Sequence, residues 1–255
     1  QILQSLPQAI QTMLDPADCG PACLSLCQDV QGETFEYPEE FFKERVHNIR
    51  RPKPDDFQIK QAVERIKNSK NPIIISGGGV FYSDAMEELS NFAVKHNIPV
   101  TQTVMGYSTM KKDHSHFVGP IGGLGGKAAN NLAKETDLAI CIGTKLADFT
   151  TGSWANFENP QFKLVSINIA RHDANKHLAE AVIGDAKVSL IELSNALGDW
   201  RSSDSWHKKS QDELKSWNEY VDKESGPTNQ DLPSYAHAVG AIYRNSDPTD
   251  IAVTA

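Results

Sequence analysis

An α/β fold, with a parallel sheet covered by helices on both faces, is predicted by this 255-residue sequence. Three observations carry that expectation. Short apolar runs without polar alternation, "IIIS" at 73–76, "LAICIG" at 138–143 and "KLVSIN" at 163–168, have the composition of strands buried on both faces. Segments with apolar residues at helical spacing separate them, as crossover connections require. The first run leads directly into Gly77-Gly78-Gly79, where a nucleotide-binding sheet would place its phosphate turn.

The elements follow in order. Ile2, Leu6, Ala9, Ile10 and Met13 predict an amphipathic helix ending before Asp15-Pro16. Ala22 to Leu26 reads as a short strand. Residues 28–54 hold three prolines and the aromatics Phe35, Tyr37, Phe41 and Phe42 with no sustained period, which predicts a linker lying along a surface. Ile59, Ala62, Val63 and Ile66 form a helix face before the first central strand. Ser83 is placed to cap a helix whose apolar positions are Ala85, Met86, Leu89, Phe92 and Ala93. "IPVTQT" at 98–103 is the next strand. A helix carrying Ala128, Ala129, Leu132 and Ala133 then precedes "LAICIG" and "KLVSIN". "AVIG" at 181–184 and a helix with Ala186, Leu190, Leu193 and Leu197 close the regular region.

Beyond Trp200 the chain is polar and charged. Trp206, Leu214, Trp217 and Val221 make a helical stripe suited to packing on a neighbouring domain. A last helix is expected from Pro233 through Ala236, Val239 and Tyr243, and "DIAVTA" at 250–255 begins as a strand.

Composition excludes several function classes. A net charge of -8 disfavours a nucleic-acid or anionic-membrane surface, because the field repels phosphates. No apolar run is long enough to span a membrane and no secretory signal opens the chain, so the expected compartment is the cytoplasm. Cys19, Cys23 and Cys27 miss iron–sulfur spacing by one residue, and a strand would make them diverge; buried or half-buried reduced thiols are expected. Cys141 reads as a core residue.

The stretch "GPIGGLGGKAANNLA", with five glycines between Gly119 and Gly126, invites comparison with a phosphate cradle. Ile121 stands where a Walker A loop needs glycine, and Ala128 where it needs a hydroxyl. The loose dinucleotide pattern fits, but "IPVTQT" ends without the acidic residue that grips a ribose, and Tyr82 replaces a small residue after Gly77–Gly79. The stretch is therefore expected to be chiefly a backbone device that brings a helix N-terminus near the Gly77 turn. Gly77, Gly78, Gly79, Gly122 and Gly123 remain candidates for a shallow cofactor crevice, and a module binding ADP or FAD remains an alternative. His114 and His116 lack a third ligand at zinc spacing. Arg171, His172, Asp173 and His177 suit acid–base work or simply a strand end. Asp148 and Ser153 lack a triad partner. No catalytic residue and no metal ligand is assigned.

Five segments, "DPADCGP" (15–21), "QDVQGETFEYPEEFF" (28–42), "PIIISGGGVFYSDA" (72–85), "DFTTGSW" (148–154) and "DANKH" (173–177), resemble the thiamine-diphosphate-dependent decarboxylase and synthase family. The resemblance points to its branch of ring-opening C–C hydrolases acting on cyclic polyhydroxylated diketones in inositol catabolism. An acetolactate-synthase-like carboligase is the alternative within the family. The resemblance implies three domains: residues 1–29 as the tail of a pyrimidine-binding domain, 30–56 as linker, 57–199 as the whole central domain with a Rossmann-like parallel sheet of about six strands, 200–228 as a helical linker and 229–255 as the start of a diphosphate-binding domain.

It also implies thiamine diphosphate and magnesium in the parent enzyme, a homodimer or homotetramer, and a small-molecule substrate, with no nucleic-acid or membrane partner. The family's catalytic glutamate belongs to the first domain. Its Gly-Asp-Gly metal motif is matched by neither Gly184-Asp185-Ala186 nor Gly198-Asp199-Trp200. The chain is therefore expected to be a fragment, inactive alone and without bound cofactor.

Overall fold

Six strands, β1 (Pro72–Ser76), β2 (Val100–Gln102), β3 (Phe117–Pro120), β4 (Leu138–Ile142), β5 (Lys163–Asn168) and β6 (Glu180–Ile183), form one sheet in the order β3-β2-β1-β4-β5-β6. The structure, a computed structural model, describes residues 1–247 and 249–251. All five strand pairs are parallel. The expectation of an α/β parallel sheet covered on both faces is met.

Side-chain alternation along a strand assigns its residues to two cores. Ile74, Ile140, Ile142 and Val165 pack under α2 (Asp56–Lys67), α4 (Met86–His96) and α8 (Ala186–Leu197), with Ile66, Phe92 and Leu193 among their partners. Ile73, Ile75, Ala139 and Cys141 face the other way. There they meet Ala128, Ala129, Leu132 and Ala133 of α5 (Lys127–Glu135), whose small side chains bring the helix close to the sheet. Burial pushes the Cys141 thiol far above its usual range, so it stays protonated as a small core residue.

Several expectations need correction. β3 was not expected, because its four residues end in Gly119-Pro120 and carry no readable period. Ala22 to Leu26 forms no strand: a ladder needs a partner edge, and no strand among the described residues pairs with it. Cys19, Cys23 and Cys27 are accordingly exposed rather than half-buried. α1 (Ile2–Leu14) forms as expected but buries no residue. In the linker, Phe35, Tyr37, Phe41 and Phe42 pack on one another, at centroid distances of 5.2–5.9 Å, with Phe41 half-buried and the other three exposed. The strand expected at "DIAVTA" has its last four residues outside the described ones.

The linker reaches the sheet only at its end. Pro52 O accepts from Asp185 N at 2.9 Å, and Arg51 Nη1 reaches Asp185 Oδ2 at 3.1 Å. Ser83 was expected to cap α4; instead it follows the short helix α3 (Gly78–Tyr82) and donates to Asp185 Oδ2 at 2.8 Å. Asp185 also caps α8 through Lys187 N and Val188 N, so one buried carboxylate ties linker, α3 and α8 together. Asp185→Ala removes the cap and strands these donors. A loss of about 3 kcal/mol is expected, read as a lowered urea midpoint at unchanged slope.

Two further helices follow the sheet, α9 (Asp204–Glu224) and α10 (Tyr235–Asn245). The α9 stripe packs within the sheet's own second layer, not on a separate body. Trp206 is 3% exposed, and its indole Nε1 donates to Pro72 O at 2.8 Å. Leu214 and Trp217 continue the contact along α5, while Val221 is exposed.

Candidate functional site

Strand order reverses between β1 and β4, so a doubly wound sheet opens its ligand crevice between their carboxyl ends. Here that position is occupied by backbone. Gly77 N donates to Ile142 O at 2.8 Å and Gly79 N to Gly143 O at 2.9 Å. A Cβ built on Gly77 would lie 2.4 Å from Gly143 O, and one on Gly79 would lie 2.6 Å from Gly143 Cα. Gly78 stands against Met105 O at 3.0 Å by the same construction, and Gly106 against Ser76 O at 2.3 Å. Glycine is required in these turns because three loops, after β1, β2 and β4, meet main chain to main chain.

Gly122 and Gly123 stand at the same sheet edge, beyond β3. The contacts of Gly122 are with the short helix α6 (Asp148–Thr151), not with the Gly77 turn: its Cβ would lie 2.1 Å from Phe149 O, and its φ is +105°. A phosphate cradle needs free N–H groups. In this loop Gly122 N donates to Asn130 Oδ1, Gly123 N to Phe149 O, Gly125 N to Gly122 O and Gly126 N to Pro120 O. Asn130 returns a bond from Nδ2 to Gly122 O at 3.0 Å, locking the loop to its own following helix. The N-terminus of that helix faces Trp217, whose Nε1 lies 2.9 Å from a Cβ built on Gly126. The structure thus places the five candidate glycines on two turns, each packed on part of the loop that follows β4.

That loop also brings "DFTTGSW" and "DANKH" together. After α6, Gly152, Ser153 and Trp154 all take left-handed conformations, as do His177 and Leu178 beyond α7 (Arg171–Ala174). The Trp154 and His177 rings meet edge to face at 4.6 Å. Burial, then neighbouring Lys176, holds the His177 imidazole below its ordinary pKa. Four non-glycine residues in the left-handed region cost about 1 kcal/mol each, so packing imposes this contact. Phe81, Tyr82, Met105, Tyr107, Leu124 and Phe149 stand exposed on the segments that follow β1, β2, β3 and β4, an apolar rim at the carboxyl edge of the sheet.

Arg171 and His172 line an open cleft of about 790 Å³ with Ala17, Asp18, Asn175 and Lys176. Asp173 pairs with Lys176 at 2.5 Å rather than with a histidine, so no carboxylate–imidazole dyad forms there. Among the described residues no three His, Cys, Asp or Glu side chains are grouped to hold a metal. No chemical step is assigned to the described side chains. No described helix is long and apolar enough to cross a membrane. Asn130, Gly106 and Gly143 escaped sequence analysis as site-shaping residues; glycine directly after the strand of "LAICIG" was the available signal for Gly143.

Comparison with known proteins agrees with this architecture. The thiamine pyrophosphate enzyme central domain matches residues 59–193. The 3D-(3,5/4)-trihydroxycyclohexane-1,2-dione hydrolase of Clostridium perfringens (strain 13) is 42% identical over 219 residues, covering 86% of this chain and 34% of that protein. A Bacillus cereus protein of that name, numbered 1, is 44% identical over 205 residues, 80% of this chain and 32% of its own. The Bacillus anthracis counterpart is 37% identical over 94% of this chain and 39% of its own length. The chain thus spans about a third of the length of the curated relatives it matches. With more than half of its residues matched, and with the strand order and loop packing described above, the chain belongs to the thiamine pyrophosphate enzyme family, as its central domain.

Proposed function

We propose that this chain is the central-domain portion of a thiamine-diphosphate-dependent hydrolase that opens the ring of a trihydroxycyclohexane-1,2-dione in inositol catabolism. The observation that carries this is identity of 37–44% to proteins bearing that one name, over 80–94% of the chain. Thiamine diphosphate supplies the carbanion chemistry in such an enzyme. The part played by this chain is positional: its sheet holds the apolar rim and the Trp154–His177 contact toward whatever domains carry the cofactor. We assign residues 1–29 and 229–255 to the flanking cofactor domains, 57–199 to the central domain, and 30–56 and 200–228 to connectors. Magnesium, a homodimeric or homotetrameric assembly and a cytoplasmic setting belong to the same proposal. Gly77, Gly78, Gly79, Gly122 and Gly123 serve in it as loop-packing residues bounding a shallow crevice.

A chimera tests the assignment. Residues 57–199 replace the corresponding segment of the Clostridium perfringens protein, and ring opening of the dione is assayed with thiamine diphosphate and magnesium. Turnover within about tenfold of the parent, or roughly 1.4 kcal/mol in barrier, is expected. A folded chimera that binds the cofactor but opens no ring defeats the proposal. The isolated chain is expected to show no turnover and no thiamine diphosphate affinity tighter than roughly 100 µM, about 5.5 kcal/mol. Saturable calorimetric binding below that concentration would mean the cofactor residues have been misplaced.

A further inference from the structure

Four imidazoles gather where α4, β3 and α9 meet. His116 stacks on His207 with centroids 4.2 Å apart and planes 23° from parallel, and His114 lies 5.8 Å from His116. His116 Nε2 bonds Asn97 Oδ1 at 3.2 Å, and Asn97 Nδ2 donates to Ser202 O and Asp204 Oδ1 at the entrance to α9. Asn97 is the left-handed cap that ends α4, so its amide is held by the helix it terminates. On the other side His96 bonds Trp200 O at 2.8 Å and Ser194 Oγ at 3.1 Å, and His96 O accepts Ser202 N. His114 bonds Ser90 Oγ through Nε2 and accepts His116 N at Nδ1. His207 Nδ1 is buried without a partner among the described residues.

We propose that this four-imidazole joint is an acid-sensitive latch, which fastens the start of α9 to the sheet while its rings are neutral and releases it when they are protonated. The geometry leaves little place for added protons. Two stacked imidazolium rings would set like charges about 4 Å apart, and His207 Nδ1 has no hydrogen-bond partner among the described residues. The charged groups facing the joint divide by sign. Arg201 opposes protonation of His116 and His207, and Lys95 opposes that of His96. Asp113 favours the charged form of His114, and Asp204 that of His207. Burial outweighs both aspartates: it is the largest influence on all four rings and holds each below its ordinary pKa, His116 at about 4.

The sign follows from linkage. Below the unperturbed value of 6.5 a released imidazole binds a proton that the closed joint refuses, so acid favours opening until about pH 4, where His116 is protonated even when closed. His116 kept neutral makes opening up to about tenfold easier per pH unit within that window, and the other three rings, also held below their ordinary pKa, act in the same direction. Elsewhere α9 is fastened by apolar contacts and the indole bond to Pro72, which do not titrate, and to α5 by the Lys209–Glu135 ion pair and the Asn131 Nδ2 bond to Glu213 Oε2 at 2.8 Å.

Hydrogen–deuterium exchange at pH 7.5, 6.5, 5.5 and 4.5, corrected for intrinsic exchange, tests the latch. Residues 204–212 are expected to lose protection by tenfold or more per pH unit below 6.5, while β1 and β4 retain theirs. His207→Phe keeps a ring against His116 but cannot take a proton, and should flatten this slope. His116→Asn should do the same, and stands in if the first variant does not fold. The inference fails if residues 204–212 hold constant protection to pH 4.5, if both variants keep the wild-type slope, or if β1 and β4 lose protection together with α9.

Discussion

Gly79→Ala is expected to cost about 3 kcal/mol or more in folding stability, although it adds only one methyl group. The new Cβ would stand 2.6 Å from Gly143 Cα, and the atom it meets is main chain, with no flexible side-chain end to move aside. Gly143 is itself bound on both sides. Its φ is +59°, its N–H is donated to Ile167 O at 2.8 Å, and its carbonyl accepts Gly79 N at 2.9 Å. The two turns can separate only by breaking these bonds at the carboxyl ends of the two central strands. Gly143→Ala should be comparably damaging and adds the cost of a left-handed alanine, about 1 kcal/mol. The double variant should fall short of the sum, because both changes force open one contact. Gly32→Ala, with nothing within 4 Å of its Cβ, is the control and should move stability by less than about 0.5 kcal/mol. Denaturant midpoints of the four proteins decide the matter; a Gly79→Ala variant as stable as the control would show that the loops do not touch.

Trp206→Ala is expected to cost about 3–5 kcal/mol, roughly 10 °C or more in Tm. The indole is the largest buried side chain of α9, lies on the core shared with Ile73, Ile75 and Cys141, and satisfies Pro72 O at the start of β1. Removing it leaves a cavity and an unpaired carbonyl, and deprives α9 of its only buried anchor of this size. Phe149→Ala, removing an exposed ring, should shift Tm by no more than about 2 °C. Equal effects at the two sites would mean that α9 is not docked as described. Trp206→Ala should loosen α9 at every pH, whereas protonation of the joint should loosen it only in acid, so the two fastenings can be told apart.

Much of this architecture was legible because its signals are local. "IIIS", "LAICIG" and "KLVSIN" announce doubly buried strands by composition, and the stripes on α2, α4, α5 and α8 announce the helices that cover them. Family resemblance was legible in segments such as "DFTTGSW" and "DANKH", which the structure brings into contact through Trp154 and His177. β3 was not legible. Its four residues become a strand only because β2 offers an edge, and Gly119-Pro120 at its end reads locally as a turn. Ala22 to Leu26 shows the converse: a β-like composition remains coil when no edge is offered.

The sequence by itself determined which residues could be buried on both faces, where helices could run and where the backbone had to be glycine. Tertiary structure alone decided what those glycines are for. A run of free amides and a run of amides spent on Asn130, Phe149 and Pro120 look alike in sequence, because the acceptors lie elsewhere in the chain. The histidine joint has the same character. No local pattern joins His114 and His116 to His207, and only the crossing of α9 over the end of α4 stacks His116 on His207, with His114 beside them and His96 bonded to Trp200 O. Propensity and periodicity act over a few residues, whereas desolvation, close approach and the pairing of buried polar groups depend on what folding brings from a distance.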